Sequence, residues 1–360
     1  MTIFNCNVLK YGAIIALCNN NERKGRNMSK LRVAINGFGR IGRLVLRAAL
    51  VSGRDDIEFV AVNDLAPAEQ NAYLLEYDSV HGKLPMEVKL DGEYIIAGKQ
   101  KIKCISERDP SKLPWRELKI DVVMECTGLF TAADKARVHL DCGAKRVLVS
   151  APSAGADKTI VYGVNEDTLT AKDLIVSNAS CTTNCLAPVA KVLDEKFGIV
   201  SAWMTTVHAY TGDQQLLDKN HKDFRRARAA AMSMIPTSTG AAKAIGLVLP
   251  NLAGKMDGMA IRVPTPDVSV VELVANLKKS ATVDAVNKAM RDAQSETFGY
   301  NDKPLVSIDF TDDAHSSIFD AGQTKVLDDK LVHVTAWYDN EWGFSNRMCD
   351  TAVAIGKLIK

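Results

Sequence analysis

Leu31-Arg-Val-Ala-Ile-Asn-Gly-Phe-Gly-Arg-Ile-Gly42 decides how the first half of the chain folds. The apolar run from Leu31 to Asn36 breaks into three glycines at G-x-G-x-x-G spacing. It then continues as a helix-like stretch, Arg43 to Ser52. A strand, tight turn and helix in that order form a cradle for a dinucleotide. Gly37 permits the turn, Gly39 lets a pyrophosphate approach the backbone, and Gly42 allows the helix to pack on the strand. The phosphates then meet the N–H groups at the start of the helix. Arg40 and Ile41, between the glycines, belong to the same candidate site. Glycine-rich turns are common, so the motif needs support. Ile57-Glu-Phe-Val-Ala-Val62 supplies it as a second strand, ending in Asn63-Asp64. Asp64 lies 22 residues after Gly42, where a ribose-binding carboxylate is expected. Its charge accepts bonds from the ribose hydroxyls and repels a 2′-phosphate, which favours NAD over NADP.

The pattern repeats further along. Tyr73 to Asp78 reads as helix and Val88 to Cys104 as hairpin material, with turns at Asp91-Gly92 and Ala97-Gly98. Ile120 to Gly128 and Arg146 to Pro152 read as buried strands around a helix, Ala132 to Asp141. Strands alternating with helices predict a Rossmann-type doubly wound parallel sheet. Past Phe197 the strand-like runs lengthen and follow one another: Ile199 to Val207, Gly258 to Val263, Val268 to Leu277, Thr324 to Leu327 and Leu331 to Tyr338. One helix is expected at Val283 to Glu296. This predicts an α+β second domain on a mixed or antiparallel sheet. Phe344 to Ile359 closes the chain as an amphipathic helix.

Composition sets broad limits. The chain has 360 residues, 47% hydrophobic and 24% charged, with a formal net charge of +2. That suits two globular domains and gives no electrostatic reason to expect nucleic acid or membrane as the main partner. Eight cysteines show no CxxC pair, which suits free thiols in a reducing compartment, the cytoplasm. The six histidines are scattered, so no metal site is expected. Tyr11 to Cys18 is too short an apolar run to span a bilayer. Residues 1–28 read as an unfolded extension, with Met28-Ser-Lys30 resembling a natural beginning.

Chemistry concentrates in Ser177-Asn-Ala-Ser-Cys-Thr-Thr-Asn-Cys-Leu-Ala-Pro188. An apolar strand leads in and a helix, Leu186 to Phe197, leads out, with Pro188 in its first turn. Cys181 therefore sits at a helix N-terminus, where the macrodipole favours a thiolate. Ser180, Thr182 and Thr183 add hydroxyls, and His208 in Met204-Thr-Thr-Val-His-Ala-Tyr-Thr211 offers a base. The alternative is an inert buried thiol with Ser180 as a plain cap. The hydroxyl-rich turn, downstream of a nucleotide motif, favours catalysis.

Ser177 to Pro188 and Thr205 to Gly212 resemble the active-site signatures of phosphorylating glyceraldehyde-3-phosphate dehydrogenases, and the resemblance runs from about Leu31 to Lys360. It implies a homotetramer that converts glyceraldehyde 3-phosphate and inorganic phosphate to 1,3-bisphosphoglycerate with NAD. By the same resemblance Arg108 lies near the adenine, Ser150 contacts NAD and Asn340 orients the nicotinamide carboxamide. Thr211 and Arg262 hold the substrate phosphate. Ser180, Thr182, Arg225, Thr239 and Gly240 hold the attacking phosphate. Arg226 and Arg228 are expected on a solvated face or in subunit contacts. The domains implied are 29–180 for NAD, completed by helix 343–360, and 181–342 for catalysis and tetramer contacts. Erythrose-4-phosphate dehydrogenase is the nearest alternative, against which the Ser238-Thr-Gly-Ala-Ala242 turn argues. The pair Lys219-Asn220 departs from the family pattern and leaves room for some NADP use.

Overall fold

A computed structural model describes residues 30–359; the extension at 1–28 lies outside them. Leu31–Asn36 is the centre of a nine-stranded sheet. It pairs in parallel with Ile57–Asn63 on one side and with Val122–Glu125 on the other. Beyond Ile57–Asn63 lie Gln100–Ile105 and the antiparallel hairpin strands Tyr94–Ala97 and Val88–Asp91. On the opposite side Arg146–Val149, Ile175–Ser177 and Lys158–Thr159 extend the parallel order. The chain thus winds out one way, returns to the centre and winds out the other way. That reversal opens a crevice beyond the carboxyl ends of Leu31–Asn36 and Val122–Glu125. Val122–Glu125 is buried at every residue, as expected of a parallel strand covered on both faces.

A second sheet of seven strands runs in the order Ile235–Ser238, Met256–Val263, Ile199–Ala209, Ser269–Leu277, Leu331–Tyr338, Ser317–Leu327 and Phe298–Asn301. It is mixed: Ile199–Ala209 pairs in parallel with Met256–Val263 and antiparallel with Ser269–Leu277. Helix Cys181–Phe197 covers one face. Its Cys185, Leu186, Val189 and Leu193 pack with Met204, Leu273, Phe319 and Val334. Each such aliphatic side chain contributes about 1.5–3 kcal/mol when fully buried. On the outer face Trp203 and Val274, opposite one another across two strands, remain partly exposed.

The last helix, Trp342–Gly356, returns to the first sheet. Phe344, Met348, Cys349, Ala352 and Ile355 share a core with Val33, Ile35, Val45 and Leu148. The approach is close enough that a Cβ on Gly356 would lie 2.6 Å from Leu31 Cδ1.

Some boundaries differ from the sequence expectation. The central helix begins at Cys181, five residues before Leu186, because Ser180 caps it by accepting the Thr183 N–H at 3.0 Å. Pro188 therefore lies inside the helix, and the Asn184 carbonyl loses the N–H partner a helix would supply. The stretch 132–141 divides into Ala133–Ala136 and Val138–Asp141. The second-domain helix spans Val283–Asp292, and Tyr77–Asp78 forms a short strand after helix Ala68–Glu76.

Candidate active site

Two cavities share the N-terminus of helix Arg40–Val51. The first, about 310 Å3, is lined by Gly37, Gly39, Asp64, Arg108, Cys126, Thr127 and neighbours. The three glycines of the motif, two of which line this cavity, differ in what a side chain would meet. A Cβ at Gly37, where φ is +90°, would lie 2.6 Å from Thr127 N, and one at Gly42 would lie 2.1 Å from Gly37 O. A Cβ at Gly39 would meet nothing within 4 Å. Gly39 is also the N-cap, and no side chain caps the helix there. Gly37 and Gly42 are thus required by the fold, whereas Gly39 leaves bare backbone facing open space, which fits an incoming pyrophosphate. Asp64 is held in place by the Phe38 N–H at 2.8 Å and the Ala66 N–H at 2.9 Å. Each carboxylate oxygen keeps a lone pair for a ribose hydroxyl. Arg108 is exposed at the rim. Lys219 is exposed in the 210–234 loop and lines neither cavity.

The second cavity, about 250 Å3, is lined by Arg40, Ile41, Ser150, Ser180, Cys181, His208, Thr211, Asn340 and neighbours. Cys181 Sγ stands 3.5 Å from His208 Nε2. His208 Nδ1 lies 2.7 Å from Ala209 O, a contact that places the proton on Nδ1 and leaves Nε2 bare toward the sulfur. The ring packs edge-on against Tyr338, whose hydroxyl pairs with Thr182 and Thr206 at 2.9 Å each. Arg262 is in register with His208 on the adjacent strand. It donates from Nη1 to Thr211 Oγ1 at 3.1 Å and to Ala209 O at 3.2 Å, while its buried Nε has no partner. A guanidinium with unused donors beside a thiol is a site for an anion.

Electrostatics at the pair differ from the helix-dipole expectation. Burial pushes the Cys181 thiol up, against the lowering effects of Arg262 and Thr182. Burial also pulls His208 down to about 3, with Arg262 acting in the same direction and the bond to Ala209 opposing. Each charge alone is disfavoured. A thiolate beside an imidazolium is neutral overall, so moving one proton from Cys181 to His208 costs less than the two ionisations taken separately.

Asn340 lies in a turn before the last helix, and its Oδ1 accepts from Ser269 Oγ at 2.6 Å. Its amide nitrogen is left to face the cavity. Arg40, expected at the cofactor, is clamped between Asp78 at 2.5 Å and Glu341 at 2.5 and 2.7 Å, and lines the cavity with its stem. Not every expected phosphate ligand comes together. Thr182 turns its hydroxyl inward to Tyr338. Thr239 and Gly240 precede helix Ala241–Val248, outside the cavity lining. Arg225 is exposed and points to Pro236 O at 3.3 Å. Its neighbour Arg226 is the inward one. It donates to Asp213 at 2.7 Å, Thr237 Oγ1 at 3.0 Å and Ser238 O at 3.1 Å, and its charge reaches both His208 and Arg262. The expectation of a solvated face holds for Arg228, which pairs with Asp218.

Comparison with known proteins gives the family of the chain. Residues 31–133 match the model described as glyceraldehyde 3-phosphate dehydrogenase, NAD binding domain, and 180–340 match the C-terminal domain of the same family. The chain is 61% identical over 332 residues to the glyceraldehyde-3-phosphate dehydrogenase of Xanthobacter flavus, covering 91% of this chain and 99% of that protein. The Cereibacter sphaeroides enzyme is 60% identical over 333 residues, with the same coverage. The chain belongs to the glyceraldehyde-3-phosphate dehydrogenase family. The groove at Gly37–Gly42 therefore lies in the family's NAD-binding domain.

Within this dehydrogenase fold, several residues escape sequence reasoning. Glu125 is wholly buried yet accepts from Asn36 Nδ2 at 2.7 Å, His139 Nε2 at 2.8 Å and the Thr127 N–H at 2.8 Å. Asn63 donates to Asn36 Oδ1 at 2.8 Å. This network ties three strand ends together beneath the NAD groove. The only sequence signal is polar residues ending apolar strands.

The closest histidine and carboxylate grouping among the described residues is His81, Asp267 and Asp339. Both ring nitrogens of His81 face other carboxylates, Asp312 at 2.5 Å and Glu341 at 3.2 Å. Its imidazolium is therefore the cation of that cluster. Cys185, four residues from Cys181, turns its buried thiol toward Ser317 and Ala336.

Proposed function

We propose that the chain oxidises D-glyceraldehyde 3-phosphate to 1,3-bisphosphoglycerate, using NAD and inorganic phosphate through a thioester on Cys181. The observation carrying this reading is the Cys181–His208 pair at 3.5 Å, in a cavity that adjoins the dinucleotide groove and whose Thr211 is bonded by Arg262. Cys181 gives its proton to His208 and attacks the aldehyde carbon, and His208 Nε2 returns that proton to the alkoxide so formed, completing a hemithioacetal and leaving Nε2 bare again. The backbone N–H groups at the start of helix Cys181–Phe197 stabilise its oxygen. His208 Nε2 takes the hydroxyl proton as the carbon loses hydride. NAD, when bound, would supply the hydride acceptor, and Gly37, Gly39, Arg40, Ile41, Gly42, Asp64, Arg108, Ser150 and Asn340 are the residues that would hold it. A phosphate oxygen then attacks the thioester carbon, and Cys181 leaves as thiolate. Thr211 and Arg262 hold the substrate phosphate. Ser180 is placed to meet the attacking phosphate and Arg226 suits that anion better than Arg225, whereas Thr182, Thr239 and Gly240 would reach it only after moving from the positions described above.

We assign residues 29–180, with helix 343–360, to the NAD domain and 181–342 to the catalytic domain. The passage of the last helix back into the first core supports that division. A homotetramer is also proposed. Leu216, Leu217, Phe224, Met232 and Met234 are exposed within one loop, an apolar surface suited to a second copy of the chain. A monomer by analytical ultracentrifugation would refute it. Residence in the cytoplasm accords with six free thiols among the described residues. The deciding assay follows NADH from glyceraldehyde 3-phosphate with and without phosphate, for wild type and Cys181→Ser. Phosphate-dependent turnover lost in the variant is expected. Phosphate-independent turnover would overturn the reading.

A further inference from the structure

Three observations meet at Asp267-Val268-Ser269, the turn that leads into strand Ser269–Leu277. Val268 has φ +62°, a left-handed conformation that a β-branched residue adopts only under constraint. Asp267 is 5% exposed; neither carboxylate oxygen has a donor in good hydrogen-bond geometry, and its polar neighbours are the Val268 backbone and the Asp339 carboxylate. Ser269 Oγ accepts the Ala209 N–H at 3.1 Å and donates to Asn340 Oδ1 at 2.6 Å. The strained turn therefore bridges the residue after His208 to the amide that faces the cavity.

The facing turn explains the acid left without a well-placed donor. Asp339 Oδ1 accepts the Glu341 N–H at 2.9 Å and the Trp342 N–H at 2.6 Å, and its Oδ2 accepts the Asp312 N–H at 2.8 Å. Three donors mark Asp339 as the ionised member. Single ligand atoms of Asp267, Asp339 and His81 lie within 4.8 Å of one another. Two carboxylates so close do not both ionise. Of the cations nearby, Arg40 is held between Glu341 and Asp78, and His81, bonded to Asp312 and Glu341, extends its charge to Asp339, which favours that carboxyl as the ionised one.

We propose that Asp267-Val268-Ser269 is the positioning element for Asn340. Ser269 fixes the direction of the amide, and Asp267, as a neutral acid, braces the Asp339–Asn340 turn. Asp267 and Ser269 act through Asn340, so they are positioning residues. The inference rests on the reading that Asn340 meets the nicotinamide carboxamide. Burial, with Asp339 and Glu341 adding to it, pushes the Asp267 carboxyl up to about 8. Ionisation above that pH sets a second charge against Asp339 and displaces the turn.

The test is the KM for NAD and kcat between pH 6.5 and 9.5 (about 8 lying within that range), for wild type, Asp267→Asn, Ser269→Ala, Ser269→Thr and Asn340→Ala. The wild-type KM should rise above pH ~8, and Asp267→Asn, neutral at every pH, should flatten that rise. Ser269→Ala should raise KM roughly fivefold at every pH, the effect of one lost hydrogen bond, with a smaller change in kcat. Ser269→Thr, which keeps the hydroxyl, should restore it. If Asn340→Ala leaves KM unchanged, the underlying reading of Asn340 fails. If Asn340→Ala raises KM but Asp267→Asn keeps the alkaline rise, or Ser269→Ala behaves as wild type, this inference alone is overturned.

Discussion

Replacing Gly39 with alanine separates the fold from the ligand. The site has φ −72° and ψ −157°, which alanine tolerates, and its Cβ would meet no atom within 4 Å. Alanine narrows the unfolded ensemble, stabilising by about 0.4–1 kcal/mol. It is a poorer N-cap than glycine by a similar amount. The two effects oppose, so the unfolding free energy should change by less than about 1 kcal/mol. NAD binding should suffer, because the methyl occupies the space the pyrophosphate needs. Losing one charge-assisted bond of about 1.5–3 kcal/mol weakens binding roughly 10- to 150-fold. Gly37→Ala is the counterpart. Its φ of +90° costs about 1–2 kcal/mol for a residue with a Cβ. The 2.6 Å approach to Thr127 N forces the strand end back, adding about 1–3 kcal/mol. Urea melts and fluorescence titration with NAD read both quantities. Wild-type NAD affinity in Gly39→Ala, or a wild-type urea midpoint in Gly37→Ala, would refute the reasoning.

Arg226→Ala should raise the KM for inorganic phosphate well above the value for Arg225→Ala, since only Arg226 turns toward Asp213 and Thr237; equal effects in steady-state kinetics would contradict that orientation. Burial opposes the charge on His81, but its bonds to Asp312 and Glu341 outweigh it and push the ring up to about 10. A raised histidine stabilises most below its unfolded value near 6.5 and loses that contribution as pH climbs through 10. His81→Asn should therefore cost more stability in denaturant melts at pH 6 than at pH 10 (the shift spans 6.5 to about 10), and an equal cost at both would show that the charge contributes nothing.

The legible parts of the molecule were those written locally. Gly37 to Gly42 and Ser177 to Pro188 each lie within a dozen residues, and backbone sterics and helix capping act at that range. The illegible parts were set by distant partners. Glu125 meets Asn36 across 89 residues, Ser269 meets Asn340 across 71, and Arg40 meets Glu341 across 301. No periodicity announces such pairs. Which of Arg225 and Arg226 turns inward was hidden for a related reason. The 210–234 loop contains no helix or strand, so alternation could not say which arginine turns inward. The place of Cys181 at a helix start was legible from Ser180 as a capping residue, whereas the apolar run from Leu186 put the first turn five residues too late.

The return of helix Trp342–Gly356 to the first sheet has a consequence for biosynthesis. A chain leaving the ribosome completes the strands of that sheet by Ser177, but the helix sealing its core follows about 165 residues later. At ~5–20 residues per second, Val33, Ile35 and Val45 wait roughly 8–33 s for their covering. Until then the nascent amino-terminal half is a sticky intermediate, in need of chaperoning. Premature stop codons near the 3′ end of the message should therefore harm the opposite end of the protein first.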